Sequence, residues 1–153
     1  MGIVKSAKSG LAVRTQFTFA VNDRTLNRIL SRIAKYSVNI AALVTIKRNK
    51  KCNIVRLVVG SSKAETTQQL LIVVKTLKSL GVRYKVEKVI SISTIPAGVP
   101  GGYNRLIGSL WCKVQLKSFY LGENNVIYLN VSNIPKTIKI LSQRKPKPCL
   151  KNG

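Results

Sequence analysis

The sequence predicts an α+β fold of two ferredoxin-like (βαββαβ) modules, antiparallel sheets with their helices on one face. Three observations lead there. A strand-like run, a short loop, an amphipathic helix and a return to strand occur twice, as FTFAVNDRTLNRILSRIAKYSVNIAALVTI (Phe17 to Ile46) and, more loosely, as VISISTIPAGVPGGYNRLIGSLWCKVQLKSFYL (Val89 to Leu121). Repeated supersecondary units of this kind bury their apolar faces against their copies. The elements then run strand, helix, strand, strand, helix, strand, the order of an antiparallel sheet covered by two helices. Finally, 45% hydrophobic content over 153 residues is enough for a core, in one domain or in two small fused ones.

Arg14 to Val21 alternates aromatic and polar side chains, as a half-buried strand does, and Asn22 or Asp23 is placed to cap the helix that follows. Leu26, Ile29, Leu30 and Ile33 supply that helix with a core face. Val38 to Ile46 and Cys52 to Val59 are rich in β-branched residues and flank the basic run Lys47-Arg48-Asn49-Lys50-Lys51, which reads as a hairpin turn. Lys63 to Leu80 carries a broad apolar face and stops at Gly81, a second helix. Val82 to Ile95 is one long strand-like stretch that joins the modules without a flexible linker.

Pro100-Gly101-Gly102 opens a helix from about Tyr103 to Trp111, followed by a strand from Val114 to Leu121, a turn at Gly122 to Asn125 and a strand from Val126 to Val131. Ser132 or Asn133, with Pro135 behind it, starts a last helix through about Leu141. The expected divisions are a basic leader over 1–13, a first module over 14–88, a second and shorter one over 89–143, and a basic tail over 144–153 with little order.

Charge is the second unusual property. Twenty-seven Lys and Arg face only Asp23, Glu65, Glu87 and Glu123, a net charge of +23 that calls for polyanionic partners or tolerance of self-repulsion. Arg24, Arg28, Arg32 and Lys35 fall at helical spacing and form one stripe; with Lys47, Arg48, Lys50 and Lys51 they make up the expected basic surface. Four acidic residues, no histidine, no nucleophile elbow, no P-loop and no dinucleotide fingerprint exclude most acid-base and nucleophilic chemistry, so no catalytic residue, cofactor or metal site is expected.

Cys52, Cys112 and Cys149 are an odd number without metal-ligand spacing, which favours a reducing, cytoplasmic home. No apolar stretch approaches the roughly 18 to 20 residues that span a bilayer, and the first residues lack the apolar core of a secretory signal. Met1-Gly2-Ile3-Val4-Lys5-Ser6 does match the N-myristoylation pattern; a frayed basic leader is the plainer reading.

The runs NDRTLNRILSRIAKYSVNIAAL, IVRLVV and PGGYNRLIGSL together resemble ACT domains, over about Arg14 to Gln143, as a tandem pair. The resemblance implies regulatory binding of a small ligand, usually an amino acid, in the loop between the first strand and first helix, with the partner module's strand closing the site. Mapped onto this chain it points to Asn22, Asp23, Arg24 and Thr25 in one loop, to Pro100, Gly101 and Gly102 in the other, and to Asn39 and Ile40 where the next strand opens. The first loop lacks the Pro-Gly of the pattern, and Gln115 stands near the asparagine position of the second module. A glycine lets the backbone approach a ligand, and free N–H groups at a helix start suit a carboxylate. Self-association into a homodimer is implied as well.

Each of these residues has a plainer role too. Pro100-Gly101-Gly102 serves equally as a turn and helix start, Asn39 as a strand-end turn residue and Asp23 as an N-cap, and Tyr103 and Trp111 read as packing residues. The rival function is docking of a nucleic acid or an acidic protein on the basic surface. The RNA-recognition module shares this topology, but it stacks bases on aromatic side chains of a central strand, and CNIVRLVV has none.

Overall fold

The computed structural model describes residues 10–96 and 98–150, so the myristoylation pattern and most of the basic leader lie outside the described residues. The chain forms β1 (Leu11–Val21), α1 (Asp23–Lys35), β2 (Ile40–Asn49), β3 (Cys52–Val59), α2 (Thr67–Ser79), β4 (Tyr84–Ile92), α3 (Gly102–Leu110), β5 (Leu116–Leu121), a 3-10 turn (Glu123–Asn125), β6 (Ile127–Val131) and α4 (Ile134–Leu141). It divides into two units, one of Arg14–Lys88 and one holding the described residues of Met1–Val13 and Val89–Gly153.

In the first unit the strand order is β2-β3-β1-β4, with β3 antiparallel to both neighbours: Phe17 faces Leu57 and Val21 faces Asn53 on one side, and Ile40 faces Val59 and Lys47 faces Asn53 on the other. Alternate residues Phe17, Phe19 and Val21 of β1 and Val55, Leu57 and Val59 of β3 point to the same face. Ile29 and Ile33 of α1 and Val73 and Leu77 of α2, each pair four residues apart, close that face into a core. Both helices therefore cover one side of the sheet. Asn22 caps α1, and α2 starts with a reciprocal capping box in which Thr66 and Gln69 each hold the other's backbone N–H.

The second unit repeats the pattern with strand order β1-β4-β6-β5. Ile90 pairs with Leu129 across β4 and β6, and Phe119 with Leu129 across β5 and β6. Its core joins Ile90, Ile92, Ile127, Leu129 and Val131 to Leu106 and Leu110 of α3 and Ile140 of α4. Leu11 belongs to this core. The first strand thus begins at Leu11, three residues ahead of the expected Arg14, because Leu11 finds apolar neighbours and Gly10 and Ala12 offer their carbonyls to Ser93 and Ser91.

Several local expectations are corrected. Lys47 to Asn49 continue β2 instead of forming the turn, which shrinks to Lys50 and Lys51, because Lys47 and Asn49 pair with Asn53 and Cys52. Helix α2 starts four residues later than Lys63, since Gly60 to Glu65 form a compact turn. The tail is fastened: Cys149 is joined to Cys112 by a disulfide, its N–H donates to the Gly108 carbonyl at 2.6 Å, and Lys113 Nζ donates to the Lys147 carbonyl at 3.1 Å. That pairing leaves Cys52 as the free thiol and removes cysteine usage as support for a reducing compartment, because disulfides persist in oxidising surroundings. Among the described residues no helix is long and apolar enough to cross a membrane.

Burial sets unequal costs along the sheet. Leu57, with 0% exposure, is predicted to cost about 2–5 kcal/mol on truncation to alanine. Leu43, 36% exposed on β2, should cost under about 1 kcal/mol, and urea unfolding followed by circular dichroism distinguishes the two.

Candidate functional site

The loop between β1 and α1 is closed by its own side chains. Asn22 Oδ1 accepts the Thr25 N–H at 2.8 Å, using one of the donors a ligand would need. The Asp23 carboxylate accepts from Lys47 Nζ and from Asn53 Nδ2, both at 2.7 Å, and Asn53 also donates to the Val21 carbonyl. The hydrogen bond from Lys47, and after it that from Asn53, holds the Asp23 carboxyl below the usual aspartate range. Arg24 points to solvent. A carboxylate already at this helix start disfavours a second anion there.

Asn39 and Ile40 stand at the other end of the same sheet. Ile40 pairs with Val59, whereas the Asn22 loop lies with Lys47 and Asn53. Asn39 Nδ2 donates to the Gly60 carbonyl at 2.9 Å and its own carbonyl accepts the Gly60 N–H at 2.8 Å. Gly60 is obligatory there, with φ +108 and only 2.4 Å between an added Cβ and the Ala64 carbonyl oxygen. Within this unit the two sets of expected contacts do not meet.

The loop before α3 has the opposite character. Gly101 occupies the N-cap position at φ +89 and, having no side chain, gives the first N–H groups of α3 no side-chain cap. Gly102 packs so tightly that a Cβ would come within 2.8 Å of Ile95 Cγ2. Arg105, one turn into the helix, brings its Nη1 to 3.2 Å from where a Gly101 Cβ would stand. A cavity of about 430 Å³ opens at this point, walled by Ile95, Val99, Tyr103, Asn104, Asn125 and Ile127 along with the three loop residues. Tyr103 leans edge-on against Phe119, with ring centroids 5.6 Å apart.

Gln115 does not reach this cavity. Its N–H donates to Ser132 Oγ at 2.9 Å and its carbonyl accepts from the Ser132 N–H, next to the Leu116–Val131 pair, whereas Ile127 of the cavity pairs with Leu121 at the far end of the hairpin. Gln115 and Asn39 thus occupy matching places in their units, each tied to the turn that follows the neighbouring strand. Arg105 was missing from the sequence reading; its spacing of four from Gly101 carries the only signal for it.

Arg24, Arg28, Arg32 and Lys35 are all exposed along α1, as are Lys47, Arg48, Lys50 and Lys51 around the β2–β3 turn. Arg32 donates to Ser79 of α2, and a groove of about 580 Å³ runs between these helices past Lys35, Tyr36, Leu71 and Lys75. Among the described residues no group of three or more His, Cys, Asp or Glu is placed to hold a metal ion.

No family model and no curated protein sequence matches the chain. Solved structures do. Protein BT0572 from Bacteroides thetaiotaomicron is 25% identical, covering 86% of this chain and 88% of its own with a TM-score of 0.67. The ligand-free regulatory subunit of aspartate kinase from Thermus thermophilus is 12% identical over 80% of this chain and 86% of its own, at a TM-score of 0.54. The corresponding subunit from Thermus flavus is 9% identical over the same shares, at 0.50. The chain therefore shares its fold with regulatory subunits over most of both molecules.

The Asp23 contacts predict a titration. Because its folded pKa is lowered, the contribution of the Asp23 contacts to stability is complete above the unfolded value of about 3.9 and is lost as pH falls through the folded value. Carboxyl-carbon NMR should place the Asp23 midpoint below that of a model aspartate, and Lys47→Gln should move it upward; an unchanged midpoint in the variant would refute the Lys47 contact.

Proposed function

We propose that the chain is a non-catalytic regulatory protein of the ACT type that binds an amino acid at the start of α3. The observation that carries this reading is the uncapped, glycine-lined helix start beside the Arg105 guanidinium and at the mouth of a cavity. Helix-start N–H groups without a side-chain cap and a guanidinium suit an α-carboxylate. The amides of Asn104 and Asn125 offer acceptors for an α-ammonium, and Ile95, Val99 and Ile127 line the space left for an apolar side chain. The resemblance of PGGYNRLIGSL to ACT loops and the fold shared with aspartate kinase regulatory subunits support the same reading.

In each unit the loop and the strand-opening residue stand at opposite sheet ends, so Asn39 and Gln115 serve a ligand only when another module presents them. A second copy of the chain supplies that module, which makes the functional form a homodimer. The basic stripe on α1 favours a second reading, docking of an acidic protein or a nucleic acid on that face. Without an aromatic on β3 such binding to nucleic acid is sequence-blind and salt-sensitive.

A thermal-shift screen against the common amino acids, in about 0.3 M salt to screen loose ion binding, tests the first reading. One amino acid at 100 times its dissociation constant should raise stability by about 2.7 kcal/mol. The rise should disappear in Gly102→Val, which collides with Ile95, and in Arg105→Gln, which removes the guanidinium beside Gly101. No rise with any amino acid would overturn the assignment and direct attention to the basic face. Repulsion between chains of +23 predicts that the dimer loosens at low salt; sedimentation of a concentration-independent monomer at both about 0.05 and 0.3 M salt would count against it.

A further inference from the structure

The second unit contains a larger cleft, of about 1000 Å³, between α3, the start of β1, the end of β4 and the chain beyond α4. Its floor is apolar, built from Leu11, Ile92 and Leu106, all buried, with Leu141 beside them. Its rim carries Arg105, Arg144 and Lys145, and no carboxylate lines it. Among the described residues none of these three cations lies in an ion pair. A volume at the upper end of the usual range of about 300–1,000 Å³, apolar below and cationic above, matches a ligand with an apolar body and one anionic end.

The wall bearing Arg144 and Lys145 has no helix or strand of its own. It is held by the Cys112–Cys149 disulfide and by two hydrogen bonds, Cys149 N–H to the Gly108 carbonyl and Lys113 Nζ to the Lys147 carbonyl. A covalent tether raises the effective concentration of that wall at the cleft far above what two hydrogen bonds maintain in water.

We propose that this cleft binds an amphipathic monoanion such as a medium-chain carboxylate, and that the Cys112–Cys149 disulfide keeps the cationic wall in place for it. A dithiol reductant reverses the tether: the S–S bond breaks, Cys112 and Cys149 each gain an S–H, and the dithiol closes to its own disulfide, a transfer of two electrons and two protons. The wall then leaves the rim and affinity falls. The cleft shares Ile95, Gly102, Asn104 and Arg105 with the Gly101 site, but Arg144 and Lys145 belong to the cleft alone, so loss of that wall tests this binding apart from amino-acid recognition.

Trp111, the only tryptophan of the chain, lines the cleft at 46% exposure, so its emission reports occupancy directly. Sodium decanoate, titrated below its micellar concentration at an ionic strength of about 0.15 M, should change Trp111 emission saturably, and neutral 1-decanol should bind more weakly. Arg144→Gln with Lys145→Gln should weaken decanoate binding about five-fold, the scale of two partly exposed charge contacts. Lys136→Gln with Lys139→Gln, which removes the same charge from α4 outside the cleft, should leave it unchanged. Dithiothreitol and Cys149→Ser should each weaken binding at least as much as the tail double variant. The proposal is overturned by the absence of saturable change in the oxidised protein, by equal binding of decanol, by equal losses in the two double variants, or by affinity indifferent to reduction.

Discussion

The first unit is organised around a buried charge. Arg14 is 1% exposed and its Nε donates to Glu65 Oε1 at 3.0 Å, while Nη2 donates to the Val59 carbonyl at 2.8 Å and to the Ala64 carbonyl. Glu65 in turn accepts the Thr15 N–H at 2.9 Å and the Thr15 hydroxyl. Removing one partner from a buried pair of this kind costs about 3–5 kcal/mol, because the other is left charged in a poor solvent. The pair ties β1 to the turn after β3, and that turn delivers Thr66 to cap α2 and receives Asn39 from the start of β2. Sheet, second helix and strand opening therefore share one hub.

The same bonds explain what the acidic residues are for. In a chain of +23, Glu65 neutralises Arg14, Asp23 pairs with Lys47, and Glu87 lies 3.7 Å from Lys85. These three are engaged with cations and hold local structure. A general acid or base needs a carboxyl free to exchange its proton with a substrate, and a group held ionised by a neighbouring lysine, as Asp23 is, makes a poor one.

Sequence reading recovered what depends on local period and missed what depends on distant partners. Ile29 with Ile33, Val73 with Leu77 and Leu106 with Leu110 recur every four residues, and Asn22 and Asn133 announce helix starts, so the helices and the α+β class were legible. The extension of β2 through Lys47 to Asn49 was not, because these polar residues become strand only by pairing with Cys52 and Asn53. Nor was the Cys112–Cys149 link, whose halves are 37 residues apart and separated by a hairpin and a helix. The two loops were singled out by pattern. That one of them is closed could not be read, since Asn53, 30 residues from Asp23, does the closing.

The contrast between the two loops follows from side-chain chemistry on a common backbone plan. Asn22 and Asp23 give the first helix its own cap and its own anion, which satisfies the donors and fills the electrostatic minimum that an anionic ligand would seek. Gly101 and Gly102 give the third helix neither, and Arg105 adds a positive charge where Asp23 adds a negative one. A helix start needs its donors satisfied, by its own side chains, by water or by a ligand. The first loop has taken the first course, whereas the glycines of the second supply neither cap nor anion and leave those donors to solvent or to another partner.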